Sequence, residues 1–291
     1  MEIVHRSTVT DDQIDSLGHM NVRWYGVHAE EATRALLARA ELVRPGQRLR
    51  TFDLYTRHHR EQMAGARLAV RSGVVALTPQ VATLYHELFE EQTGVLAATF
   101  LRRVAPVDAE AAFAHDRVVT VEVPEHGRSR SVPTDDDPMA DAPAVELLLE
   151  RGLAMRHPRA VEDAEVGADG EVPADRLQEL LWRGRPIDWR PWDMSDRGPE
   201  GRRVSMAVME TRIVVGRPPR LGDRIQAFSA TVAIGDKTTT RRQWVMDLAA
   251  GVPLLVSTSV GVALDLDARR ATSLPPGMRA EAERNLQPDL V

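Results

Sequence analysis

The stretch Asp15-Ser-Leu-Gly-His-Met-Asn-Val-Arg-Trp-Tyr25 leads directly into a run of helix-forming residues that extends to about Leu42. A carboxylate, a glycine, an imidazole and an amide therefore lie close together, immediately before a helix begins. The first turn of a helix carries unpaired N–H groups and a partial positive charge. Such a position can hold a carbonyl oxygen or an anion. We therefore expect a functional site at this junction, with most of the chain forming the walls around it.

The elements on either side of the junction predict an α+β unit. Residues 2–10 alternate in polarity, which is typical of a strand. Residues 22–42 carry a stripe of small apolar side chains, which predicts a helix close against a sheet, and Asn21 is a suitable N-cap. Four strand-like runs follow at about residues 50–60, 66–77, 80–90 and 94–104. Their short connections favour an antiparallel sheet.

The second half of the chain repeats this order. Gly65 and Gly222 are 157 residues apart, as are Gly94 and Gly251, and the strands between the two pairs match in length and character. Upstream, the sequence around Gly18 aligns with the sequence around Gly170 at an offset of 152 residues. A constant offset over several elements indicates a duplicated unit. The second copy lacks the His-Met-Asn sequence, and its helix is expected to be short.

Composition limits the class of protein. The 291 residues are 43% hydrophobic with a net charge of −6, so two domains with real cores are expected, and general affinity for nucleic acid or anionic membranes is not. The absence of cysteine excludes disulfides and thiolate metal sites. The polar N-terminus and the lack of any apolar run near the ~18 residues of a membrane helix predict a soluble, cytoplasmic protein.

The motif Asp-x-x-Gly-His-Met-Asn-x-x-x-Tyr, before a long helix and four antiparallel strands, resembles the hotdog-fold acyl-CoA thioesterases of the 4-hydroxybenzoyl-CoA thioesterase branch. Residues 54–101 are similar to the betainyl-CoA thioesterase type. The phrases that carry this similarity are Arg57-His-His-Arg-Glu61, Ala64-Gly-Ala-Arg-Leu68, Tyr85-His-Glu-Leu88 and Gly94-Val-Leu-Ala-Ala98. The second half resembles the partner hotdog of tandem thioesterases, including acyl-carrier-protein thioesterases.

The resemblance implies a tandem (double) hotdog, in which each antiparallel sheet wraps around a long central helix and active sites lie in the cleft between the two hotdogs. The predicted segments are an N-terminal hotdog with the motif, a linker with short helices, a C-terminal hotdog with a degenerate motif, and a tail. Their predicted bounds are residues 1–106, 107–159, 160–270 and 271–291.

The resemblance places the family's catalytic carboxylate at Asp15 and its helix-start glycine at Gly18. Asp15 would attack a thioester carbonyl as a nucleophile, or act as general base on a water molecule, and the sequence does not separate these roles. Its alternative role is to cap a turn. Backbone N–H groups near Gly18–Met20 are candidates for an oxyanion hole. His19 would polarise the substrate or cap the helix, and Asn21 would contact the substrate or act only as an N-cap.

The other candidate residues are assigned to substrate binding. Tyr25 is expected in the core with its hydroxyl at the cleft. By strand alternation, His59 and Glu61 are expected to share a face, which is solvated if they do not bind substrate. The spacing of the histidines fits no metal-ligand pattern, so no metal site is predicted. The substrate-binding candidates are Met20, Tyr25, His59, Glu61 and His86.

The predicted activity is hydrolysis of an acyl thioester carried by coenzyme A or by an acyl-carrier protein. No cofactor is expected beyond the coenzyme A or phosphopantetheine that forms part of the substrate, and neither nucleic acid nor membrane is expected as a partner. Two alternatives are a non-catalytic acyl-CoA-binding hotdog protein and a hotdog enoyl hydratase or dehydratase. The second group has an Asp-x-Asn-Pro-x-His pattern, which the sequence at Asp15 lacks. Association of two double hotdogs as a homodimer stays open.

Overall fold

The computed structural model describes residues 1–108, 110–114, 118–187 and 201–290. The chain divides into two compact units, called here unit 1 and unit 2. Unit 1 contains Met1–Arg130 and Pro173–Gln178, and unit 2 contains Ser131–Val172 and Glu179–Val291. The division differs from the predicted segments in two ways. The stretch predicted as a linker is shared between the units, and a short piece of the second copy belongs to unit 1.

Unit 1 is an antiparallel sheet with one long helix. Its strands are β1 (Glu2–Thr8), β2 (Leu49–His58), β3 (Arg67–Leu77), β4 (Ala82–Glu90) and β5 (Leu96–Pro106). Ladders join β1 to β3, β3 to β4, β4 to β5 and β5 to β2. Helix α1 (Val22–Arg39) packs against this sheet. The predicted strands and helix of the first copy are therefore all present, with ends shifted by no more than about three residues.

The bounds of α1 follow from its two ends. At the start, the Asn21 side chain accepts a hydrogen bond from the backbone N–H of Arg23 at 3.1 Å, which confirms Asn21 as the N-cap. The helix ends before the predicted Leu42 because Glu41 has a left-handed backbone with φ of 53°. Of the five residues of the predicted stripe, Tyr25, Ala29, Ala32 and Leu36 are buried on α1, whereas Ala40 is the exposed residue that caps its end.

Unit 2 also consists mainly of antiparallel strands. Its strands are β6 (Arg159–Ala160), β7 (Val204–Val215), β8 (Arg224–Ile234), β9 (Thr238–Asp247), β10 (Val252–Asp265) and β11 (Arg270–Ala271). Ladders join β6 to β8, β8 to β9, β9 to β10, β10 to β7, and β10 to β11. Helices α2 (Val145–Glu150) and α4 (Pro276–Arg284) belong to this unit.

Backbone hydrogen bonds confirm the internal repeat. In the first copy, Asp15 N–H donates to the carbonyl oxygen of His19, and in the second Gly167 N–H donates to that of Glu171. The turn glycines of both copies have positive φ values, 83° at Gly18 and 76° at Gly170. The four long strands of each unit also have the same order, β2-β5-β4-β3 in unit 1 and β7-β10-β9-β8 in unit 2. The duplication predicted from the glycine spacing is therefore present in three dimensions.

The second copy differs from the first in its helix. A 3₁₀ turn (Ala174–Arg176) runs into helix α3 (Leu177–Leu180), so the long central helix of the predicted fold class is seen in unit 1 alone among the described residues. Gly184, with φ of 98°, and Pro186 follow, and both disfavour helix. Residues 188–200 lie outside the described part. None of the described helices is long and apolar enough to cross a membrane.

Candidate active site

A tight turn presents Asp15 just before α1. Asp15 N–H donates to the carbonyl oxygen of His19 at 2.9 Å, and Gly18 N–H donates to that of Asp15 at 3.0 Å. The turn needs φ of +83° at residue 18, where a side chain would be strained, so glycine is the fitting residue. One oxygen of Asp15, Oδ1, accepts the N–H of Leu17 at 2.8 Å, which fixes the carboxylate.

Two long-range hydrogen bonds fasten this turn and the first turn of α1 to residues 60–62. Met20 N–H donates to the carbonyl oxygen of Gln62 at 2.7 Å, and the Tyr25 hydroxyl donates to that of Arg60 at 3.2 Å. The Tyr25 ring also packs edge-on against His58, with ring centroids 4.8 Å apart. Residues 60–62 directly follow the turn out of β2, so these contacts hold the side chain of Glu61 beside the turn.

The imidazole of His19 lies between two carboxylates. Its Nδ1 is 3.4 Å from Asp15 Oδ2, and its Nε2 is 3.4 Å from Glu61 Oε1. The side chains of Asp15, His19 and Glu61 are 22%, 14% and 35% exposed, so all three are largely desolvated yet reachable by solvent. Acid–base or nucleophilic chemistry needs a carboxylate that is fixed, accessible and next to a group that can carry a proton. This arrangement meets those requirements.

The backbone amides of the turn are mostly occupied. Gly18 N–H and Met20 N–H, two of the predicted oxyanion-hole donors, each donate to a carbonyl oxygen of the protein. In the part of the chain that the structure describes, the N–H of His19 donates to no protein acceptor. Of the predicted oxyanion-hole donors, the N–H of His19 is therefore the one that remains. His19 is also the residue whose imidazole lies between the two carboxylates.

Met20 and Tyr25 support the site from behind. Met20 is 1% exposed and lies in the core of unit 1, so its side chain packs rather than faces solvent. Burial raises the pKa of the Tyr25 hydroxyl, and the charges of Glu61 and Asp15 raise it further. A neutral hydroxyl that donates to a carbonyl oxygen is suited to anchoring residues 60–62, as expected for a core tyrosine whose hydroxyl lies at the site.

The contacts described for His59 differ from those of Glu61 with His19, although alternation predicted that the two side chains would share a face. β2 ends at His58, so the two-residue period does not extend to them. His59 Nε2 lies 3.1 Å from Thr99 Oγ1, and its ring is near His126, with centroids 6.5 Å apart. Burial lowers the pKa of His59 to about 4, and the neighbouring Arg57, His126 and Arg130 lower it further.

His86 lies in the core of unit 1 and is fully buried. Its Nε2 is 3.0 Å from Thr33 Oγ1 on α1, and its Nδ1 is 2.6 Å from Ser72 Oγ on β3. Burial lowers the pKa of His86 to about 3, with a further contribution from Arg102. Both ring nitrogens are engaged inside the unit, so we leave His86 out of the site proposed below.

The backbone acceptors that support the site were not predicted from the sequence. The carbonyl groups of Arg60 and Gln62 hold the turn and Tyr25, and backbone acceptors of this kind leave no signal in residue type. The sequence placed His58 with His59 and Glu61 among polar groups found only in the copy with the motif, and in the structure the His58 ring packs on Tyr25. Among the described residues, no group of three or more His, Asp or Glu side chains is arranged to hold a metal ion.

Comparison with known proteins identifies relatives of this chain. A family model described as the Thioesterase-like superfamily matches residues 9–140, which include Asp15, His19 and Glu61. A chloroplastic acyl-[acyl-carrier-protein] hydrolase of Cuphea viscosissima is 27% identical over 154 residues, which is 50% of this chain and 37% of that protein. The matched stretch thus spans little more than a third of the length of this curated relative.

Two solved structures share the fold over most of the chain. An acyl-ACP thioesterase from Bacteroides thetaiotaomicron superposes with a TM-score of 0.63 at 10% identity, covering 88% of this chain and 96% of that one. A 12:0-ACP thioesterase from Umbellularia californica superposes with a TM-score of 0.64 at 8% identity, covering 89% and 93%. The predicted resemblance to hotdog-fold thioesterases is therefore confirmed, by the double-hotdog fold of the chain and by the match of residues 9–140 to the thioesterase-like superfamily.

Proposed function

We propose that this chain hydrolyses acyl thioesters at the site formed by Asp15, His19 and Glu61. The observation that carries the proposal is the imidazole of His19, with one ring nitrogen 3.4 Å from each carboxylate. A carboxylate that is fixed by Leu17 N–H, partly desolvated and adjacent to an imidazole is equipped to activate a water molecule or to attack a carbonyl carbon.

Hydrolysis at this site follows one of two routes. In the first, Asp15 takes a proton from water, the water oxygen bonds to the thioester carbon, and the C–S bond breaks to release a thiol. In the second, an Asp15 oxygen bonds to that carbon and displaces the thiolate, and water then hydrolyses the resulting anhydride. His19 is placed to relay a proton in either route, because the neutral imidazole has one donor and one acceptor nitrogen.

The carbonyl oxygen of the substrate becomes negatively charged in both routes. Among the predicted donors at Gly18–Met20, the N–H of His19 is the one without a protein acceptor in the described residues, so it is available to stabilise that charge next to the positive end of the α1 dipole. Such donors act strongly because they are already oriented before the reaction begins. We therefore assign the oxyanion contact to the His19 amide.

The proposed substrate is an acyl group carried by coenzyme A or by the phosphopantetheine of an acyl-carrier protein. The names of the Cuphea, Bacteroides and Umbellularia relatives support a carrier-protein substrate, and the resemblance to acyl-CoA thioesterases supports coenzyme A. Thioester chemistry at this site needs no metal or redox cofactor, so none is proposed. A place in fatty-acid metabolism and in the cytoplasm, and a second copy of the chain as partner, are parts of the same proposal.

Thiol release from a panel of acyl-CoA and acyl-carrier-protein substrates tests the proposal. We expect wild type to hydrolyse at least one of them, and Asp15→Asn to lose activity by about 10²-fold or more. Asp12→Asn is the matched control, because Asp12 is an exposed carboxylate three residues away. Binding of substrates without hydrolysis by wild type, or full activity in Asp15→Asn, would overturn the proposal. Rapid-quench mass spectrometry separates the routes, because only the anhydride route adds the mass of the acyl group to the protein.

A further inference from the structure

Two histidines meet where β1 packs on α1, away from the groups used above. His5 Nε2 of β1 lies 3.2 Å from His28 Nδ1 of α1, and Ser7 Oγ lies 3.3 Å from the same nitrogen. The ring centroids are 5.4 Å apart. His28 is 4% exposed, and its Nε2 is buried without a hydrogen-bond partner. One imidazole therefore donates to the other, at a position that solvent barely reaches.

The contact between the rings of His5 and His28 depends on how many protons the two rings carry. A neutral imidazole has one donor and one acceptor nitrogen, so two neutral rings can share one hydrogen bond. When both rings are protonated, every ring nitrogen is a donor, and two N–H groups would face each other at 3.2 Å. Where His28 is the donor of the neutral pair, its second proton would lie on Nε2, which is buried with no acceptor. Double protonation therefore opposes the contact between β1 and α1.

The groups that face the pair do little to offset a second charge. On α1, Glu31 is the carboxylate that interacts with both rings. On β3, the residues opposite His5 and Ser7 are the apolar Val70 and Leu68. Burial lowers the pKa of His28 to about 4, with the neighbouring His5 ring adding to the effect, and burial also lowers the pKa of His5.

Two arginines near β1, Arg39 and Arg6, make contacts that do not involve the His5–His28 pair. Arg39, in the last turn of α1, donates to the backbone oxygen of Ile3, a contact that does not depend on protonation of the pair. Arg6 pairs with Glu91, and it alternates with His5 and Ser7 along the strand, so it lies on the other face. Neither the Arg39 contact nor the Arg6–Glu91 ion pair would neutralise a positive charge on the His28 ring.

We propose that the His5–His28 pair is a pH-sensitive latch, which holds β1 on α1 when neutral and releases it when both rings take up protons. β1 pairs with β3 alone among the strands of unit 1, so it is an edge strand that can leave without breaking the rest of the sheet. The chain runs from β1 through the 3₁₀ turn Asp11–Gln13 directly to Asp15. Release of β1 would therefore loosen the turn that carries the catalytic carboxylate.

Hydrogen exchange of the full chain tests the latch without reference to activity. Each proton taken up on opening raises the opening constant by up to about tenfold per pH unit below 6.5. After correction for intrinsic exchange, we expect protection of residues 3–8 to fall at least tenfold between pH 6.5 and 5.0. The fall should be smaller in His5→Gln and absent in the double variant His5→Gln/His28→Gln. His157→Gln, an exposed histidine of unit 2, should behave as wild type.

Two results would overturn the latch. One is a fall of less than tenfold in the protection of residues 3–8 in wild type, and the other is an unchanged response in the double variant. The single variant His5→Gln keeps the buried ring, so the test remains readable if the double variant folds poorly.

The link from the latch to activity rests on the proposed function. If hydrolysis is found, the acid loss of activity between pH 6.5 and 5.0 should shrink in His5→Gln, while activity at pH 7.5 stays within about twofold of wild type. An unchanged acid loss would refute that link. If no substrate is hydrolysed at any pH, the proposed function fails, and the exchange experiment still decides the latch.

Discussion

The burial of His86 in unit 1 predicts how the free energy of unfolding changes when the pH is lowered. His86 is fully buried between Ser72 and Thr33, and its pKa is lowered from an ordinary 6.5 to about 3. The unfolded chain therefore binds a proton at this residue below pH 6.5, while the folded chain does not until about pH 3. The stability that depends on the neutral ring is complete above pH 6.5 and is lost as the pH falls towards 3.

The size of the effect follows from these two values. Between pH 7.5 and 5.0, His86 should remove about 2 kcal/mol from the free energy of unfolding, since each pH unit below 6.5 is worth about 1.4 kcal/mol. His86→Gln retains hydrogen-bonding groups but cannot titrate. We expect the variant to be less stable at pH 7.5, and its loss of stability between the two pH values to be smaller than that of wild type by about 2 kcal/mol.

Urea unfolding at pH 7.5 and 5.0, followed through hydrogen exchange of β4, measures this difference within unit 1. Subtraction of the variant from wild type cancels the contributions of the other histidines, including the His5–His28 pair. His157→Gln serves as the control, because this residue is exposed and in unit 2. The reasoning fails if His86→Gln and wild type lose the same stability on acidification, because the ring would then not be neutral and buried as described.

Two further predictions concern the site and the packing of unit 1. Glu61→Gln should lower kcat/KM for the best thioester substrate by about tenfold or more, since the carboxylate beside His19 is lost, while the exposed Glu122→Gln should match wild type in the same assay. Gly127→Ala should destabilise the chain by about 1–3 kcal/mol in urea unfolding, because a Cβ there would overlap the ring of Tyr85. Gly26→Ala is its control and should stabilise the chain by about 0.5–1 kcal/mol, because Gly26 lies within α1 and faces open space. Equal stabilities of the two glycine variants would contradict this account of the packing.

Features set by neighbours in sequence were predictable. Asn21 caps α1 because its side chain reaches an N–H only two residues away, and Gly18 permits a turn whose hydrogen bonds all close within five residues. The strands of unit 1 were predicted from alternation and turn glycines, which are also local signals. The position of Asp15 in the turn before α1 could be predicted because it also depends on residues that are close in sequence.

Features set by contacts between distant segments were not predictable. Glu61 reaches His19 because Met20 N–H binds the carbonyl oxygen of Gln62, some forty residues later in the chain. No pattern of residue types encodes that bond. His86 resembles a surface histidine in an alternating strand, yet both faces of β4 are covered. α1 covers one face through Thr33, and residues 120–128 cover the other, where Gly127 packs on Tyr85.

The second copy shows that the backbone of the turn is not enough to make the site. Gly167 and Glu171 close the same turn that Asp15 and His19 close in the first copy. The carboxylate position is now a glycine, and the imidazole position is Glu171, which accepts a hydrogen bond from Arg220 at 2.9 Å. The position equivalent to Glu61 is Pro218.

All three chemical positions have therefore changed together, while the fold of the turn has been retained. A structural role for the turn alone would give no reason for Asp, His and Glu to occur as a set in the copy that matches the thioesterase-like family. The ion pair that replaces them in unit 2 fastens the turn through Arg220 instead. Comparison of the two copies thus supports the proposal that the carboxylate–imidazole–carboxylate arrangement of unit 1 serves chemistry rather than stability.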